Sequence, residues 1–332
     1  MEPLARWAAG VPVLTRDSDR DNPPKARGNK LSGVIGKIRV NDGLLSAADI
    51  ANNYNFEKSL YQIAAPATAA LSAGPTHRWG FNEAAGTTFA DSGTAASAAS
   101  AATLKGDGAA LTGTGVDLPG GSSATAPYID LPNDVASGKD LSGVGYSSVT
   151  YEGWITTSTT QNWSRVVDFG STTSGEITEP GGSFSGSGYI NLTNNIGTAG
   201  DMRMERNGGV AGTRDALAST ILGSEQHFVI TYDEVDGNWK WYQNGNLMEG
   251  FASDAPGNLN DVNNWLGRSN YSGDANTDGT YNEFRIYDFA LTDAQIRQNL
   301  LDGPNQLTIV PEPSAGLLGL FGLAMLNRRR RS

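Results

Sequence analysis

The stretch HFVITYDEVDGNWKWYQNGNLMEG, which begins at His227, constrains the fold more than any other part of the chain. The dipeptides Asp236-Gly237 and Asn244-Gly245 separate three runs of β-favouring residues, and such dipeptides are typical of the tight turns that join antiparallel strands. The stretch therefore predicts a three-stranded meander. Because successive side chains alternate between the two faces of a strand, Trp239 and Trp241 are expected to share one face.

Further short β-favouring runs follow one another between residues 76 and 303. Turn residues separate these runs, the segment is rich in Gly, Ser, Thr and Asn, and helical periodicity is nearly absent, which predicts an all-β sandwich. An Ala/Pro-rich stretch over residues 59–75 carries few side chains to bury and is interpreted as a linker. The candidate strands are PYIDLP, SVTYEGWIT, SRVVDFG, YINLT, MRMERN and NNWLGRS.

The stretch from Gly33 to Tyr54 aligns without a gap with the stretch from Gly279 to Leu300. Both begin with alternating apolar and polar residues, as in a strand with one buried face, and both continue with a helical signal. In the second copy, Thr292 and Gln295 form a capping-box pattern. We interpret residues 1–58 as the C-terminal remnant of an upstream domain whose beginning is absent.

The charge and the residue composition exclude several classes of function. The formal net charge of -11 argues against binding to nucleic acid. The chain contains no cysteine and only two histidines, which excludes disulfides and thiol catalysis and leaves few ligands for zinc. Neither a phosphate-binding loop nor a Gly-x-Ser-x-Gly elbow is present.

The end of the chain combines a Val-Pro-Glu-Pro element, the apolar run 315–326 and four consecutive arginines. The apolar run is shorter than the roughly 20 residues of a spanning helix, so a permanent membrane anchor is not expected. The tripartite order resembles the PEP-CTERM sorting signal of bacterial surface proteins. The residues that carry this resemblance are Pro311, Glu312, Pro313, Arg328, Arg329, Arg330 and Arg331.

This resemblance implies export, transient insertion into the inner membrane through the tail, and cleavage by an exosortase-type sorting enzyme. The mature protein would then lie at the cell surface or in the extracellular matrix. Residues 304–313 are interpreted as a linker with the Pro-Glu-Pro motif, and residues 314–332 as a sorting tail with a short hydrophobic helix.

Ordered blocks of residues 76–303 resemble the laminin G-like domains of the concanavalin A-like jelly-roll fold. This resemblance implies a β-sandwich over the whole of that segment, in a fold that hosts lectins, adhesion modules and enzymes. The blocks that carry it are HRWGFNEAAGTTFADSGT, TYEGWIT, WSRVVDFG, HFVITYD, WKWYQNGNLM and NEFRIYDFALTDAQI.

The stretch SGDANTDGTYNEF contains the first possible calcium site. Asp274, Asn276 and Asp278 match the opening of a calcium-binding loop, in which oxygen ligands stand at alternate positions. The twelfth position holds Arg285 where an EF-hand needs a glutamate, so the stretch is not an EF-hand. The alternative is a solvated acidic turn.

The laminin G-like resemblance implies a different calcium site, with a structural ion held by Asp91, Glu83, Asn282 and Glu283. The family more often has Asp at the position of Asn282, so one negative charge is missing from this set. Calcium is the only cofactor that the sequence suggests.

Aromatic side chains near predicted loops are candidates for stacking on sugar rings. The alternative for each is an ordinary place in the core of the sandwich. The four candidates are Trp163, Trp265, Tyr271 and Tyr281.

The favoured hypothesis is an exported, surface-sorted and non-catalytic module that binds a polysaccharide or a surface protein. One alternative is a structural spacer of the cell surface or matrix. The other is a glycoside hydrolase, but the paired Glu-x-Asp-x-x-Glu motif is absent: after Glu234 and Asp236, Trp239 stands where the second glutamate should be. Glu152 and Asp168 are isolated carboxylates for which a structural role is expected.

Overall fold

A computed structural model of the chain describes residues 67–139, 142–197, 201–207, 212–219 and 221–310, together with Leu44 and Ser46. The chain divides into two compact units, Met1–Pro66 and Ala67–Ser332. The predicted remnant over residues 1–58 lies outside the described residues, apart from those two positions. The sorting tail lies outside them as well.

The described residues of the second unit form sixteen strands in two antiparallel sheets. In chain order the strands are β1 (His77–Trp79), β2 (Thr88–Phe89), β3 (Ala102–Lys105), β4 (Ala110–Leu111), β5 (Val116–Ser122), β6 (Tyr128–Leu131), β7 (Val149–Thr159), β8 (Arg165–Thr172), β9 (Gly186–Thr193), β10 (Asp201–Asn207), β11 (Gly212–Ser219), β12 (Gln226–Asp233), β13 (Asn238–Gln243), β14 (Asn246–Ala252), β15 (Asn263–Leu266) and β16 (Ala275–Tyr287).

The first sheet has the order β14-β13-β12-β7-β16-β5-β4, with β1 paired to β16. The second sheet has the order β11-β10-β9-β8-β15-β6-β3-β2. Neighbours in space are often distant in the chain, as expected for a sandwich whose connections cross between sheets. The predicted all-β sandwich is confirmed.

The main core lies between the two sheets. It is built from alternate positions of the strands, because every second side chain of a strand points to the same face. Trp239 and Trp241 are both completely buried in it, as their spacing predicts. The predicted meander is also confirmed, since β12, β13 and β14 pair in sequence.

A helix, α1 (Asp293–Asp302), follows the last strand. Its first turn carries the predicted capping box: the Thr292 hydroxyl accepts from the Gln295 backbone N–H, and the Gln295 side chain accepts from the Thr292 N–H. Ile296 is fully buried in a second apolar cluster with Tyr287 on the first sheet. No helix of the described residues has the length and the apolar character needed to cross a membrane.

The sandwich extends beyond residues 76–303, the limits expected from the sequence. Leu71 is fully buried in the cluster below α1, and it forms a parallel bridge with Ile309. The Leu71 N–H donates to the Thr308 carbonyl at 2.8 Å, and the Val310 N–H donates to the Leu71 carbonyl at 2.9 Å. Leu71 in one stretch and the partly buried Leu307 in the other pack against this cluster, and with so few apolar residues both stretches look like linkers in the sequence.

A buried carboxylate connects the strands of the first sheet with α1. Glu152 on β7 is completely buried and accepts hydrogen bonds from four side chains that belong to three other elements. The donors are His227 at 2.8 Å, Arg285 at 3.1 Å, Tyr287 at 2.8 Å and Asn299 at 2.9 Å. Burial of a charge is tolerated only when it is paired and hydrogen-bonded, and here both conditions hold.

The network also fixes the protonation state of the carboxylate. Burial alone would raise the pKa of Glu152, but Arg285, His227 and Asn299 together outweigh it and lower that pKa from 4.5 to about 2. Glu152 is therefore ionised throughout the neutral range. Its isolated position in the sequence predicts a structural role, and these contacts are of that kind.

Replacing Glu152 by glutamine is expected to lower the free energy of unfolding by about 3 kcal/mol, because Arg285 then keeps a buried charge with one partner fewer. Urea denaturation at pH 7 measures the change. The matched control is Glu234→Gln, at an exposed turn position, which is expected to change stability by less than about 0.5 kcal/mol.

The stability difference between wild type and Glu152→Gln should also depend on pH in the acidic range. A carboxylate whose pKa is lowered by folding stabilises the fold above its unfolded pKa, and this contribution disappears as the pH falls through the folded pKa. The stability difference between wild type and Glu152→Gln should therefore shrink between pH 4.5 and about 2. A difference that stays constant over this range would contradict the assignment.

Candidate functional site

The outer face of the second sheet carries a row of polar side chains. Asp168 on β8 lies opposite Asn191 on β9, and Asn191 lies opposite Glu205 on β10. Their neighbours Phe169 and Met204 belong to the core, so the alternation of the strands directs the polar row away from it. We call the outward-facing side chains of β8, β9 and β10 the polar face.

Arg165 organises one end of the polar face. Its guanidinium contacts the carboxylate of Asp274 at 3.1 Å and that of Asp168 at 3.5 Å, and it donates to the Trp163 carbonyl at 2.8 Å. Only 3% of the Arg165 side chain is exposed. Two carboxylates that are more than 100 residues apart in the sequence therefore share one buried cation.

A chain of hydroxyl contacts forms the other end. The Tyr189 hydroxyl donates to the carboxylate of Glu205 at 2.8 Å and lies 3.2 Å from the Tyr271 hydroxyl. The two tyrosine rings meet edge to face with centroids 5.7 Å apart. The orientation of the Tyr271 ring is thus set by its neighbours, while part of the residue stays exposed.

Trp163 occupies the turn that leads into β8. Its φ of 61° lies in the left-handed region, which is rare for a bulky residue and often marks a functional position. The guanidinium groups of Arg165 and Arg203 lie 5.7 and 5.3 Å from the centroid of its ring. Arg203 in turn lies 3.7 Å from Glu205, so the indole joins both ends of the polar face.

An open pocket lies beside Tyr271, with a volume of about 430 Å³. Its walls are the loop between β8 and β9 and the loop that follows β15. Reciprocal hydrogen bonds hold the two loops together: the Phe184 N–H donates to the Ser272 hydroxyl, and the Ser272 N–H donates to the Phe184 carbonyl. We call this cavity the Tyr271 pocket. It is lined by Thr173, Ser183, Phe184, Ser185, Tyr271, Ser272, Gly273 and Asp274.

A buried layer supports the wall of the pocket. The Arg268 guanidinium lies 4.5 Å from the ring centroid of Trp265 and 4.4 Å from that of Tyr128. It also donates to the backbone carbonyls of Glu179 and Gly181, at 3.2 Å each, on the loop between β8 and β9. A fully buried cation thereby holds this loop in place through its backbone.

Burial changes the acidity of the two carboxylates that share Arg165. Complete burial raises the pKa of Asp168 to about 6, against the opposing effects of Arg165 and of Asn270, which donates twice at 2.8 Å. Burial likewise raises the pKa of Asp274, against Arg165 and the Ser269 hydroxyl. Of the two, only Asp274 reaches the pocket.

The structure separates the four aromatic candidates. Trp163 contacts the polar face through Arg165 and Arg203, and Tyr271 lines the pocket, which Arg165 reaches through Asp274. Trp265 is completely buried beside Arg268, with its indole N–H donating to Asp130 at 3.0 Å. Tyr281 is completely buried in the main core. The prediction for Trp265 and Tyr281 needs correction, because neither ring offers a face to a ligand.

Several residues of the site were not singled out from the sequence: Tyr189, Arg165, Arg203 and Glu205. A signal was present in the run MRMERN, where methionine alternates with arginine and glutamate. Such alternation indicates one buried face and one charged face of a strand. It does not indicate which distant residues meet the charged face.

The calcium candidates of the laminin G-like resemblance are engaged with other partners. Asp91 accepts from His77 at 2.7 Å and from the backbone N–H groups of Arg78 and Gly93 at 2.8 Å. Burial works to raise the pKa of Asp91, but these donors outweigh it and lower that pKa. Glu83 accepts from the Ala90 N–H at 3.0 Å through Oε1, whereas its Oε2 is buried and has no hydrogen-bond partner among the described residues.

Glu283 and Asn282 complete this set. The Glu283 carboxylate is fully buried and contacts the guanidinium groups of Arg78 at 2.5 Å and Arg285 at 2.6 Å, as well as the Asn305 N–H. The Asn282 side-chain amide donates to Glu225. The Glu283 carboxylate is therefore already paired with Arg78 and shares Arg285 with Glu152.

The residues of the second calcium candidate also point to different partners. Asp274 pairs with Arg165, and Asp278 accepts from the Thr159 hydroxyl at 2.6 Å. The buried Asn276 amide donates to the Ala126 carbonyl at 2.9 Å, whereas its Oδ1 has no hydrogen-bond partner among the described residues. In the part of the chain that the structure describes, no cluster of three or more His, Asp and Glu side chains is arranged to hold a metal ion.

Comparison with known proteins gives one match to a protein-family model. Residues 123–297, more than half of the chain, match the family described as the concanavalin A-like lectin/glucanases superfamily, Laminin_G_3. None of the curated proteins matches the sequence. The matched segment includes the whole polar face and all the residues that line the Tyr271 pocket.

Several solved structures are similar to the chain. Domain 4 of AbnA, a GH43 extracellular arabinanase from Geobacillus stearothermophilus in complex with arabinotriose, is 17% identical over 68% of this chain and 98% of that domain, with a TM-score of 0.47. Trypanosoma rangeli sialidase in complex with sialic acid is 15% identical, with a TM-score of 0.49. That match covers 76% of this chain and 38% of the sialidase.

A third similar structure is the Ruminococcus gnavus IT-sialidase CBM40 bound to alpha2,3 sialyllactose. It is 18% identical over 59% of this chain and 96% of that one, with a TM-score of 0.43. At these identities the likeness concerns the arrangement of strands and assigns no ligand.

Calcium is expected to leave the stability of the domain unchanged, because the guanidinium groups of Arg78 and Arg285 already neutralise Glu283. A site with a Kd of about 1 mM would add about 1.4 kcal/mol at about 10 mM calcium. We expect less than about 0.5 kcal/mol when urea denaturation is compared in calcium and in chelator.

Asn282→Asp is the informative companion variant for this measurement, because it restores the carboxylate that the family more often carries. Its stability should be equally insensitive to calcium if Glu283 is the obstacle. A calcium-dependent gain in the wild type, with one bound ion in native mass spectrometry, would contradict this expectation.

Proposed function

Because this chain belongs to the concanavalin A-like lectin/glucanases superfamily, we propose that it is a non-catalytic binding module that holds a glycan in the Tyr271 pocket. The observation that carries the proposal is the combination of a preformed, hydroxyl-rich cavity with one partly exposed tyrosine ring. The family hosts more than one activity, so the proposal rests on the site rather than on the fold.

The lining of the pocket suits a sugar. Thr173, Ser183 and Ser185 are exposed and offer hydroxyl groups that both donate and accept, which matches the alternating donors and acceptors of a pyranose. The volume of about 430 Å³ lies within the range that is usual for small-molecule sites. The Tyr271 ring supplies an apolar face for the C–H groups of a sugar ring.

Preorganisation favours binding at this place. The hydroxyl contacts with Tyr189 orient Tyr271, and Arg268 holds the opposite wall through two backbone carbonyls. A pocket whose side chains are already ordered loses less conformational entropy when a ligand enters. The parts of the site that touch no ligand therefore contribute to affinity.

A binding role is proposed in preference to glycoside hydrolysis because of the state of the carboxylates. Hydrolysis needs two carboxyl groups that both reach the glycosidic bond, one as acid and the other as base or nucleophile. Asp168 is completely buried, Asp274 is paired with Arg165, and Glu205 accepts from Tyr189. Each is therefore fixed by a protein partner.

The proposed location is the bacterial cell surface or extracellular matrix, after processing by an exosortase-type enzyme. Support comes from the order of the Pro-Glu-Pro element, the apolar run and the arginine cluster at the end of the chain. These residues lie outside the described part, so the proposal rests on the sequence. Delivery to the surface would bring the Tyr271 pocket to extracellular polysaccharide.

Replacing Tyr271 by alanine is expected to weaken glycan binding at least about ten-fold, the equivalent of about 1.4 kcal/mol, because the apolar face of the pocket is lost. Tyr271→Phe keeps the ring and should retain most of the affinity. The measurement is a glycan array with the purified full chain, followed by titration of the best hit.

Leu247→Ala, at an exposed position of β14 on the other sheet, serves as the matched control and should bind like the wild type. Equal binding by Tyr271→Ala and the control would move the ligand site elsewhere. A blank array for the wild type would favour the structural spacer over the binding module.

Processing of the tail is tested in a host that carries an exosortase-type enzyme. Joint substitution of Pro311, Glu312 and Pro313 by alanine is expected to block removal of the tail, so the protein should keep its full C-terminus. Intact-mass spectrometry identifies the mature C-terminus. The control Pro304→Ala lies outside the motif and should be processed normally, whereas normal processing of the triple variant would refute the assignment.

A further inference from the structure

We infer that the Tyr271 pocket selects uncharged sugars and rejects sugars that carry a carboxylate or a sulfate. This inference rests on the proposed glycan-binding function and specifies the class of ligand. It follows from where the charges of the polar face lie relative to the pocket.

The pocket wall carries charge of one sign. Among the lining residues that the structure describes, Asp274 is the single charged side chain. The others contribute hydroxyl groups, backbone and the rings of Phe184 and Tyr271. A neutral sugar can exchange its hydrogen bonds to water for bonds to these groups, whereas an anionic sugar would meet a carboxylate.

Arg165 is nearest to the pocket but is not available to an anionic ligand. Its guanidinium is divided between Asp274, Asp168 and the Trp163 carbonyl, and 3% of the side chain is exposed. An acidic sugar would have to displace Asp274 from a buried ion pair. The displaced carboxylate would then be left without its cation, which opposes the exchange.

Arg268 lies behind the opposite wall of the pocket, and its guanidinium is already bonded within the protein. It is fully buried, it donates to the backbone carbonyls of Glu179 and Gly181, and it lies against the rings of Trp265 and Tyr128. Reaching a ligand would require the loop between β8 and β9 to open. Its charge therefore supports the wall and does not face the cavity.

A second carboxylate, that of Glu205, is connected to the pocket through the hydroxyl groups of Tyr271 and Tyr189. The Tyr271 hydroxyl contacts the Tyr189 hydroxyl, which donates to Glu205. Glu205 in turn pairs with Arg203 at 3.7 Å, and Arg203 lies over the Trp163 ring. The first charge that a bound sugar meets in this direction is thus negative.

The charge of the whole protein acts in the same sense. With a net charge of -11, the chain repels polyanions at long range, and this repulsion weakens as salt is added. Local and global electrostatics therefore both penalise acidic glycans. Like-charge contacts of this kind are an effective means of rejecting wrong ligands.

The test uses matched pairs of ligands. The best neutral oligosaccharide from the array is compared with two derivatives, one in which a hydroxymethyl group is oxidised to a carboxylate and one in which a hydroxyl group is sulfated. Titration of the full chain at about 50 mM salt should give at least about ten-fold weaker binding for both derivatives. The gap should narrow at about 500 mM salt, where screening is strong.

A variant with an added cation separates electrostatics from shape. Ser185→Lys places a cation on the exposed rim of the pocket, and Ser185→Gln adds length without charge. The ratio of neutral to acidic affinity should fall at least about three-fold in Ser185→Lys relative to Ser185→Gln. Asp274→Asn should lower the ratio as well, with circular dichroism to verify that this variant is folded.

The possible outcomes distinguish the inference from the proposed function. Equal or tighter binding of the acidic derivatives, abolished by Tyr271→Ala, would overturn the inference and leave the proposed function standing. Failure of both neutral and acidic glycans to bind would remove the proposed function and the inference together. Weaker binding of the acidic derivatives that persists unchanged in Ser185→Lys would also refute the electrostatic account.

Discussion

The buried pair of Glu152 and Arg285 is the interaction on which the rest of the structure depends. It joins the two central strands of the first sheet, β7 and β16, and its further partners extend to β12, to α1 and to the segment after the helix. Removing Glu152 leaves Arg285 with Glu283 as its carboxylate partner, and removing Arg285 leaves Glu152 without its guanidinium partner, so either change leaves a buried charge with fewer partners. The helix and the strands around it are thereby fixed in one arrangement.

This arrangement divides the two outer faces of the sandwich between different tasks. Part of the outer face of the first sheet is covered by α1 and by the segment around Leu71, which pack on Val229, Tyr242 and Tyr287. On the outer face of the second sheet, Asp168 and Asn191 are completely buried, with Asn270 of the loop after β15 bonded to Asp168, while Glu205 stays partly exposed. A scaffold rigid on one side can present an ordered site on the other.

The sequence predicts those structural features that depend on residues close to one another along the chain. The meander follows from turn dipeptides and alternation, and the start of α1 follows from Thr292 and Gln295. The candidate site is only half predictable: Trp163 and Tyr271 lie in it, whereas Trp265 and Tyr281 are buried. Whether an aromatic ring faces solvent depends on which distant loop covers it, and no local pattern records that a buried Arg268 holds such a loop over Trp265.

The parallel bridge between Leu71 and Ile309 has a mechanical consequence. The entering and the leaving segments of the sandwich run side by side in the same direction, joined by backbone hydrogen bonds to Thr308 and from Val310. A pull applied to both ends would slide the two segments past each other and load these bonds together instead of one after another. The bridge between Leu71 and Ile309 therefore opposes tension applied between the two ends of the sandwich.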